Sequence, residues 1–301
     1  MTKTIDTLVE DIYNIFTNPD HKISEENLKD LGQNIADCVR KKIDEASVKR
    51  KPTLRMSILG KPNRQLWFEL KEPQDVVAAG DVDVFEPHPE KFLKFLFGDI
   101  IEQLLVFLVK EAGHKLEFAQ ENLNIGGVEG HTDGAIDGVA VDFKTASGYQ
   151  FNTKFRTRKL LSGLPEDDPF GYKAQLASYR DALVAKHPEA GIDKEKIAWV
   201  VFNKESGEIL LVQADNFDLE FFNSGDRVQE VKNILSKPTP PVEKCYPEVP
   251  LGTSGNMILH KNCSYCVFKN KCWKGLRKFK YADGVKYFTQ VNTLPRVEEI
   301  V

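Results

Sequence analysis

The stretch GHTDGAIDGVAVDFKTAS, Gly130 to Ser147, carries Asp133, then Asp142, then Lys144 with one residue between the last two. Side chains alternate faces along a strand, so Asp142 and Lys144 project to the same side while Phe143 turns to the other. The IDG tripeptide between two apolar alternating segments is a tight-turn signal and predicts an antiparallel hairpin. If the segments pair that way, Asp133 reaches the same end of the hairpin as Asp142. Two converging carboxylates suit a hard divalent cation bound through oxygen, Mg²⁺ or Mn²⁺. A lysine beside them can orient an attacking water and offset charge on a pentavalent phosphate, so the residue types fit phosphodiester hydrolysis. The D-x-K spacing is common by itself, and a solvated surface hairpin explains it equally well.

Two further segments bear on the same chemistry. Upstream, HPEKFLKFLFGDIIEQLLVFLVKEAG reads as a long, mostly buried helix with Gly113 as its stop, and it holds Asp99 and Glu102. Glu102 stands among Ile100, Ile101, Leu104 and Leu105, where an unpaired carboxylate is costly, so it is favoured over Asp99 as a functional acid. Downstream, PFGYKAQLASYRDALVAK reads as a helix in which Gln175 and Tyr179, at i and i+4, share a face. On spacing alone, an ordinary amphipathic helix accounts for that pair.

Four of the five cysteines, Cys245, Cys263, Cys266 and Cys272, follow the pattern C-x17-C-x2-C-x5-C, and Cys38 stands apart. Such clustering is a strong metal signal, and both Zn²⁺ and a [4Fe–4S] cluster accept four thiolates. From Lys261 to Lys280 there are seven Lys or Arg and no acid, and the segment from Lys144 to Lys159 is likewise free of acids. A charge run is usually a solvated face, but beside a carboxylate cluster it can neutralise a phosphodiester backbone.

Taken in order, GDIIEQLL, GHTDG, VDFKTAS and QLASY resemble the PD-(D/E)XK nuclease superfamily, in its RecB-like branch of phage-type exonucleases and CRISPR-adaptation nucleases. The resemblance implies a metal-binding Asp133, a third motif of Asp142 and Lys144, and a Phe143 carbonyl that completes the metal shell. It also implies that Gln175 and Tyr179 hold the lysine or the DNA backbone. Many members carry a His on the upstream helix, whereas this chain offers Glu102, as phage recombination exonucleases do. The cysteine run is similar to that of iron–sulfur members, which implies a structural [4Fe–4S] cluster, with Zn²⁺ as the alternative. In those relatives the fourth cysteine precedes the core. Here that region holds none, so Cys245 is chosen over Cys38. Implied partners are DNA, through Lys154, Arg156, Arg158, Lys269, Lys271 and Lys274, and a second copy of the chain or replication and recombination proteins.

The elements that must position these groups follow from periodicity. Residues 1–54 read as a helical N-terminal region, 55–240 as an α/β core with a mixed sheet flanked by helices (restriction-endonuclease-like), 241–282 as the cysteine segment and 283–301 as a tail. Trp67, Trp273 and Tyr265 are expected to pack inward. Composition is that of a soluble protein, 41% hydrophobic and 29% charged with a net charge of −4. No apolar run is long enough to span a bilayer, and a cytosolic setting (a host's cytoplasm, if phage-encoded) is expected. Three functions remain open: a metal-dependent DNA nuclease of exo or endo type, a non-catalytic DNA-binding module, and a sensor or electron carrier built on the cysteines alone.

Overall fold

The computed structural model describes residues 3–46, 52–72 and 89–300. It falls into two compact units, one holding residues 3–46, 52–60 and 89–229, the other 61–72 and 230–300. No helix among the described residues is long and apolar enough to cross a membrane.

The first unit begins with α1 (Leu8–Thr17), whose Leu8 and Ile12 are buried together with Ile5. Helix α2 (Glu25–Ala46) starts where the Ser24 hydroxyl accepts the Asn27 amide at 3.3 Å, an N-cap. Helix α4 (Pro89–Glu111) ends as expected at Gly113, which takes a positive φ of 78°. There the Gly113 and His114 amides donate back to the carbonyls of Lys110 and Val109, which satisfies the last turn.

A five-stranded sheet runs in the order β1 (Leu116–Glu117), β4 (Gly134–Ile136), β5 (Val139–Ala146), β6 (Ile197–Asn203), β7 (Ile209–Ala214). All pairs are antiparallel except β5 and β6. A parallel pair needs a long crossover, here residues 147–171 followed by α5 (Tyr172–Lys186). Strands β2 (Asn122–Ile125) and β3 (Val128–His131) form a separate hairpin. The expected turn at Ile136–Gly138 is present, with Val139 opposite Ile136. Val139, Val141 and Phe143 of β5 join α1, α4, β6 and β7 in one apolar core. Strand alternation therefore turns Ala140, Asp142 and Lys144 to the other side. The architecture is mixed α/β, with a mixed sheet and helices against it.

The N-terminal region holds helices α1 and α2, and α1 packs into this core. It is also fastened by His114, whose buried ring lies 2.6 Å from Asp137 and 3.0 Å from Asp11.

In the second unit, α3 (Asn63–Lys71) presents Trp67 and Phe68 to Ile234 and Phe268. Phe68 stacks on Phe268 at 5.6 Å, and the Trp67 indole donates to the Lys237 carbonyl at 3.1 Å, so Trp67 is a core residue as expected. Helix α6 (Ser224–Ser236) crosses from one unit into the other. Short helices α7 (Lys261–Ser264) and α8 (Lys269–Cys272) carry three of the cysteines. The stretch expected to be a tail instead completes an antiparallel sheet in the order β12 (Glu299–Ile300), β10 (Arg277–Tyr281), β11 (Gly284–Gln290), β9 (Met257–Ile258), β8 (Val249–Pro250). Phe279 and Phe288, buried and 4.8 Å apart, are the apolar reason. The compact units thus depart from the boundaries expected at 54/55 and 240/241.

Gly60 and Gly171 meet backbone to backbone. A Cβ on Gly60 would lie 2.4 Å from the Gly171 Cα, so neither position has room for a side chain. Gly60→Ala is expected to cost about 3 kcal/mol in urea unfolding, the upper range for overpacking. Gly32→Ala, on the exposed face of α2 with open space around it, is expected to stabilise by about 0.5–1 kcal/mol.

Candidate active site and cysteine pocket

Strand β4 covers β5 only as far as Val141, which faces Gly134. Continuing that register by one residue sets Asp133 opposite Asp142. The sheet edge beyond is open, so the Phe143 amide has no strand partner and donates instead to Asp133 Oδ2 at 2.8 Å. The N–H and C=O of an extended residue point to the same side, which leaves the Phe143 carbonyl on the Asp133 side. The Asp133 and Asp142 carboxyls are within hydrogen-bonding reach of each other.

Lys144 binds both oxygens of Asp142, at 2.6 Å to Oδ1 and 2.5 Å to Oδ2. Asp142 Oδ2 is buried and, despite that ion pair, receives no well-directed hydrogen bond. Gln175 reaches Asp142 Oδ1 at 3.4 Å and hydrogen-bonds Tyr179. The i, i+4 pair therefore faces the carboxylates, and α5 is not simply amphipathic: most of its residues are buried. Glu102, half-buried on α4, accepts from Gln120 at 2.8 Å and feels the charge of Asp142. Its rival Asp99 pairs with Lys42 at 2.7 Å.

The electrostatics are those of crowded acids. Burial first, then Asp142 and Asp99, pushes the Glu102 carboxyl up to about 7. Burial, then Asp142 and Glu102, raises Asp133 well above the carboxylate range, and burial raises Asp142 despite Lys144. For Lys144, burial alone would lower the pKa, but Asp142 and Asp133 raise it. Burial, then both aspartates, keeps the Tyr179 phenol protonated.

Among the described residues, no group of three or more His, Cys, Asp or Glu side chains is arranged to hold a metal ion. Glu102, Asp133 and Asp142 nevertheless lie close enough for their charges to interact, and the Lys144 ammonium pairs with Asp142. The donor set, three carboxylates and a carbonyl with one underused buried oxygen, fits a hard divalent cation, provided Lys144 yields part of Asp142.

The chain matches no protein-family model and no curated protein. A solved structure described as the crystal structure of SSO0001 superposes with a TM-score of 0.39 at 18% identity, covering 79% of this chain and 95% of that one. At that level the likeness carries no inference about fold or activity.

Tyr172 was not among the residues read from sequence. Its ring lies 4.9 Å from Lys144 Nζ and 4.1 Å from Lys154 Nζ. The signal was available: Tyr172, Gln175 and Tyr179 fall at i, i+3 and i+7, one helical face. His131 is exposed on β3.

The expected DNA-binding cations fare unevenly. Lys154 is buried among Tyr172, Phe170 and Phe155, 3.6 Å from Asp168, so it is no surface cation. It lies in a π-helical turn, Phe151–Arg156, that carries it inward. Lys269 is buried too, over the Tyr287 ring. Arg156 pairs with Glu208, Arg158 with Asp218 at 3.0 Å, and Lys271 with Glu72. Lys274 is exposed.

In the second unit, Cys245, Cys263, Cys266 and Cys272 line one pocket with Arg64, Phe68, Tyr246 and Trp273. Arg64 Nε lies 3.0 Å from the Cys272 sulfur, and Lys244 Nζ lies 3.8 Å from it. Burial, then Cys263, pushes the Cys245 thiol up to about 12, and burial, then Cys266 and Cys272, pushes Cys263 up to about 11. Four sulfurs of this kind fit a structural metal group whose cations replace their protons. Cys38 lies on α2 in the first unit, where burial first, then Asp99 and Glu102, raises its pKa. Trp273 packs beside the pocket as expected, whereas Tyr265 is 79% exposed and does not. Tyr265 is the C-cap residue of the single-turn helix α7.

The sign of the linkage follows from Glu102. Its pKa is raised on folding from 4.5 to about 7, so the folded state holds the proton more tightly. This contribution is fully present below about pH 4.5 and lost as pH rises through 7, at most about 3 kcal/mol. The raised Asp133 and Asp142 act in the same direction. In chelator, the melting temperature should fall between pH 5 and pH 8, and Glu102→Gln should flatten that fall. Adding Mg²⁺ or Mn²⁺ should raise the melting temperature more at pH 8 than at pH 5.

Proposed function

We propose that this protein is a metal-dependent DNA nuclease of phage-type exonuclease character, with a restriction-endonuclease-like core, and that it hydrolyses phosphodiester bonds by attack of water. The observation that carries the reading is the junction of Asp133, Asp142 and Lys144 at the open edge of β5, with Glu102 electrostatically coupled to them. An acid cluster that raises its own pKa values around a buried lysine is costly as structure alone and is a mark of functional sites.

Glu102, Asp133, Asp142 and the Phe143 carbonyl would hold the cation. A bound Mg²⁺ or Mn²⁺ supplies Lewis acidity and a lowered pKa for the attacking water. Lys144 stays an ammonium through Asp142 and Asp133, so it serves to stabilise negative charge on the pentavalent phosphate and to orient the water. Gln175 fixes the Asp142 oxygen that Lys144 shares, and Tyr179 offers a neutral hydroxyl to the same group of side chains.

The test is digestion of linear and circular DNA with Mg²⁺ or Mn²⁺. Linear forms should be consumed and circular forms spared. Asp142→Asn and Lys144→Ala should each lower the rate by about 10³-fold or more, the scale set by removing one electrostatic stabiliser. DNA bound but left intact by wild type and variants alike would favour a non-catalytic binding module, and cleavage of circles would favour an endonuclease.

For the second unit, we propose that Cys245, Cys263, Cys266 and Cys272 hold a structural [4Fe–4S] cluster, with Zn²⁺ as the alternative, since four thiolates lining one pocket suit either. Protein purified without oxygen should be brown with a broad visible band that Cys263→Ser removes, and a colourless, zinc-containing protein would refute the cluster.

A further inference from the structure

The crossover from β5 to α5 ends in an aromatic ladder. Phe155, buried, stacks on Tyr172 at 6.3 Å and 17°, and Tyr172 stacks on Phe170 at 5.6 Å and 22°. The middle ring carries the Lys144 ammonium over its face. The outer ring, Phe170, is 58% exposed. A phenylalanine held parallel to its neighbour yet open to solvent leaves apolar surface uncovered next to a charged site.

The position is fixed by its backbone. The Asp168 carboxylate accepts the Tyr172 and Lys173 amides at 3.0 and 2.9 Å, and its carbonyl accepts the Gly171 amide at 3.0 Å. Gly171, at φ +74°, is pressed against Gly60. Phe170 is therefore clamped between a buried cap and a close backbone contact, which spares a ligand the entropy of ordering it.

We propose that the exposed ring of Phe170 is a stacking platform for an unpaired nucleobase of the DNA strand whose phosphodiester lies at Lys144. The proposal rests on the hydrolase reading and narrows its substrate to ends with at least one unpaired base. A flat ring one stacking step from the ring that holds Lys144 matches a nucleotide, which places a π face beside an anionic group. Stacking of this type contributes about 1–3 kcal/mol per base and tolerates any sequence.

The test uses the full chain in chelator, so that no strand is cut, and linear single-stranded oligonucleotides with terminal 2-aminopurine. Wild type and Phe170→Trp should quench the fluorophore. Phe170→Ala and Phe170→Leu should lose the quench and bind about tenfold more weakly, with melting temperatures unchanged. Unaltered quench and affinity in Phe170→Ala would overturn the proposal, as would a Phe170→Leu variant equal to wild type, because a plain apolar contact, such as one with a protein partner, would then suffice. If linear DNA is digested with Mg²⁺ or Mn²⁺ while all variants bind alike, the platform fails and the hydrolase reading stands. A ring-dependent quench without any digestion would sink the hydrolase reading and leave the base contact supported.

Discussion

A single amide governs the candidate site: the Phe143 N–H, freed from strand pairing because β4 stops at Gly134, donates to Asp133. A buried amide must find an acceptor, and here the acceptor is a carboxylate. That bond draws Asp133 to the strand carrying Asp142 and Lys144 and points the adjacent carbonyl the same way. A longer β4 would satisfy the amide with a backbone oxygen and leave Asp133 elsewhere. The shortness of one edge of pairing is therefore what gathers the acids.

Gathering them has a cost that the rest of the unit must absorb. Three acids with raised pKa values surround one lysine, and none of the four is in its preferred environment without a counter-charge. The core of α1, α4 and the sheet offsets this by burying Phe143, Val141 and Val139 on the opposite side of the same strand. Alternation along β5 thus divides its labour residue by residue, apolar packing on one side and charge on the other.

Much of this was legible in the chain. Period-two alternation and the IDG turn gave the hairpin, and its pairing set Asp133 at the same end as Asp142. Glu102 was preferred to Asp99 because its neighbours are apolar, and Asp99 pairs with Lys42. What sequence did not reveal depends on tertiary placement. Lys154 looks like a surface cation in a basic run, but a π-helical turn rotates it beneath Tyr172 and Phe170. The last strands read as polar tail because Phe279 and Phe288 are isolated apolar residues until β10 and β11 bring them together. Tyr172 escaped notice because its partner, Lys144, lies across a crossover from it.

The second unit is assembled from chain pieces far apart in sequence. Helix α3 is made early, yet Cys272, on which Arg64 rests, follows 208 residues later, and Phe268, against which Phe68 stacks, lies beside it in sequence. During synthesis the Trp67 and Phe68 faces stay wet until that later segment has emerged from the ribosome. Vectorial folding can complete the sheet carrying Asp142 first, whereas the cysteine-bearing unit must wait, leaving α3 as a sticky segment for chaperones to shield.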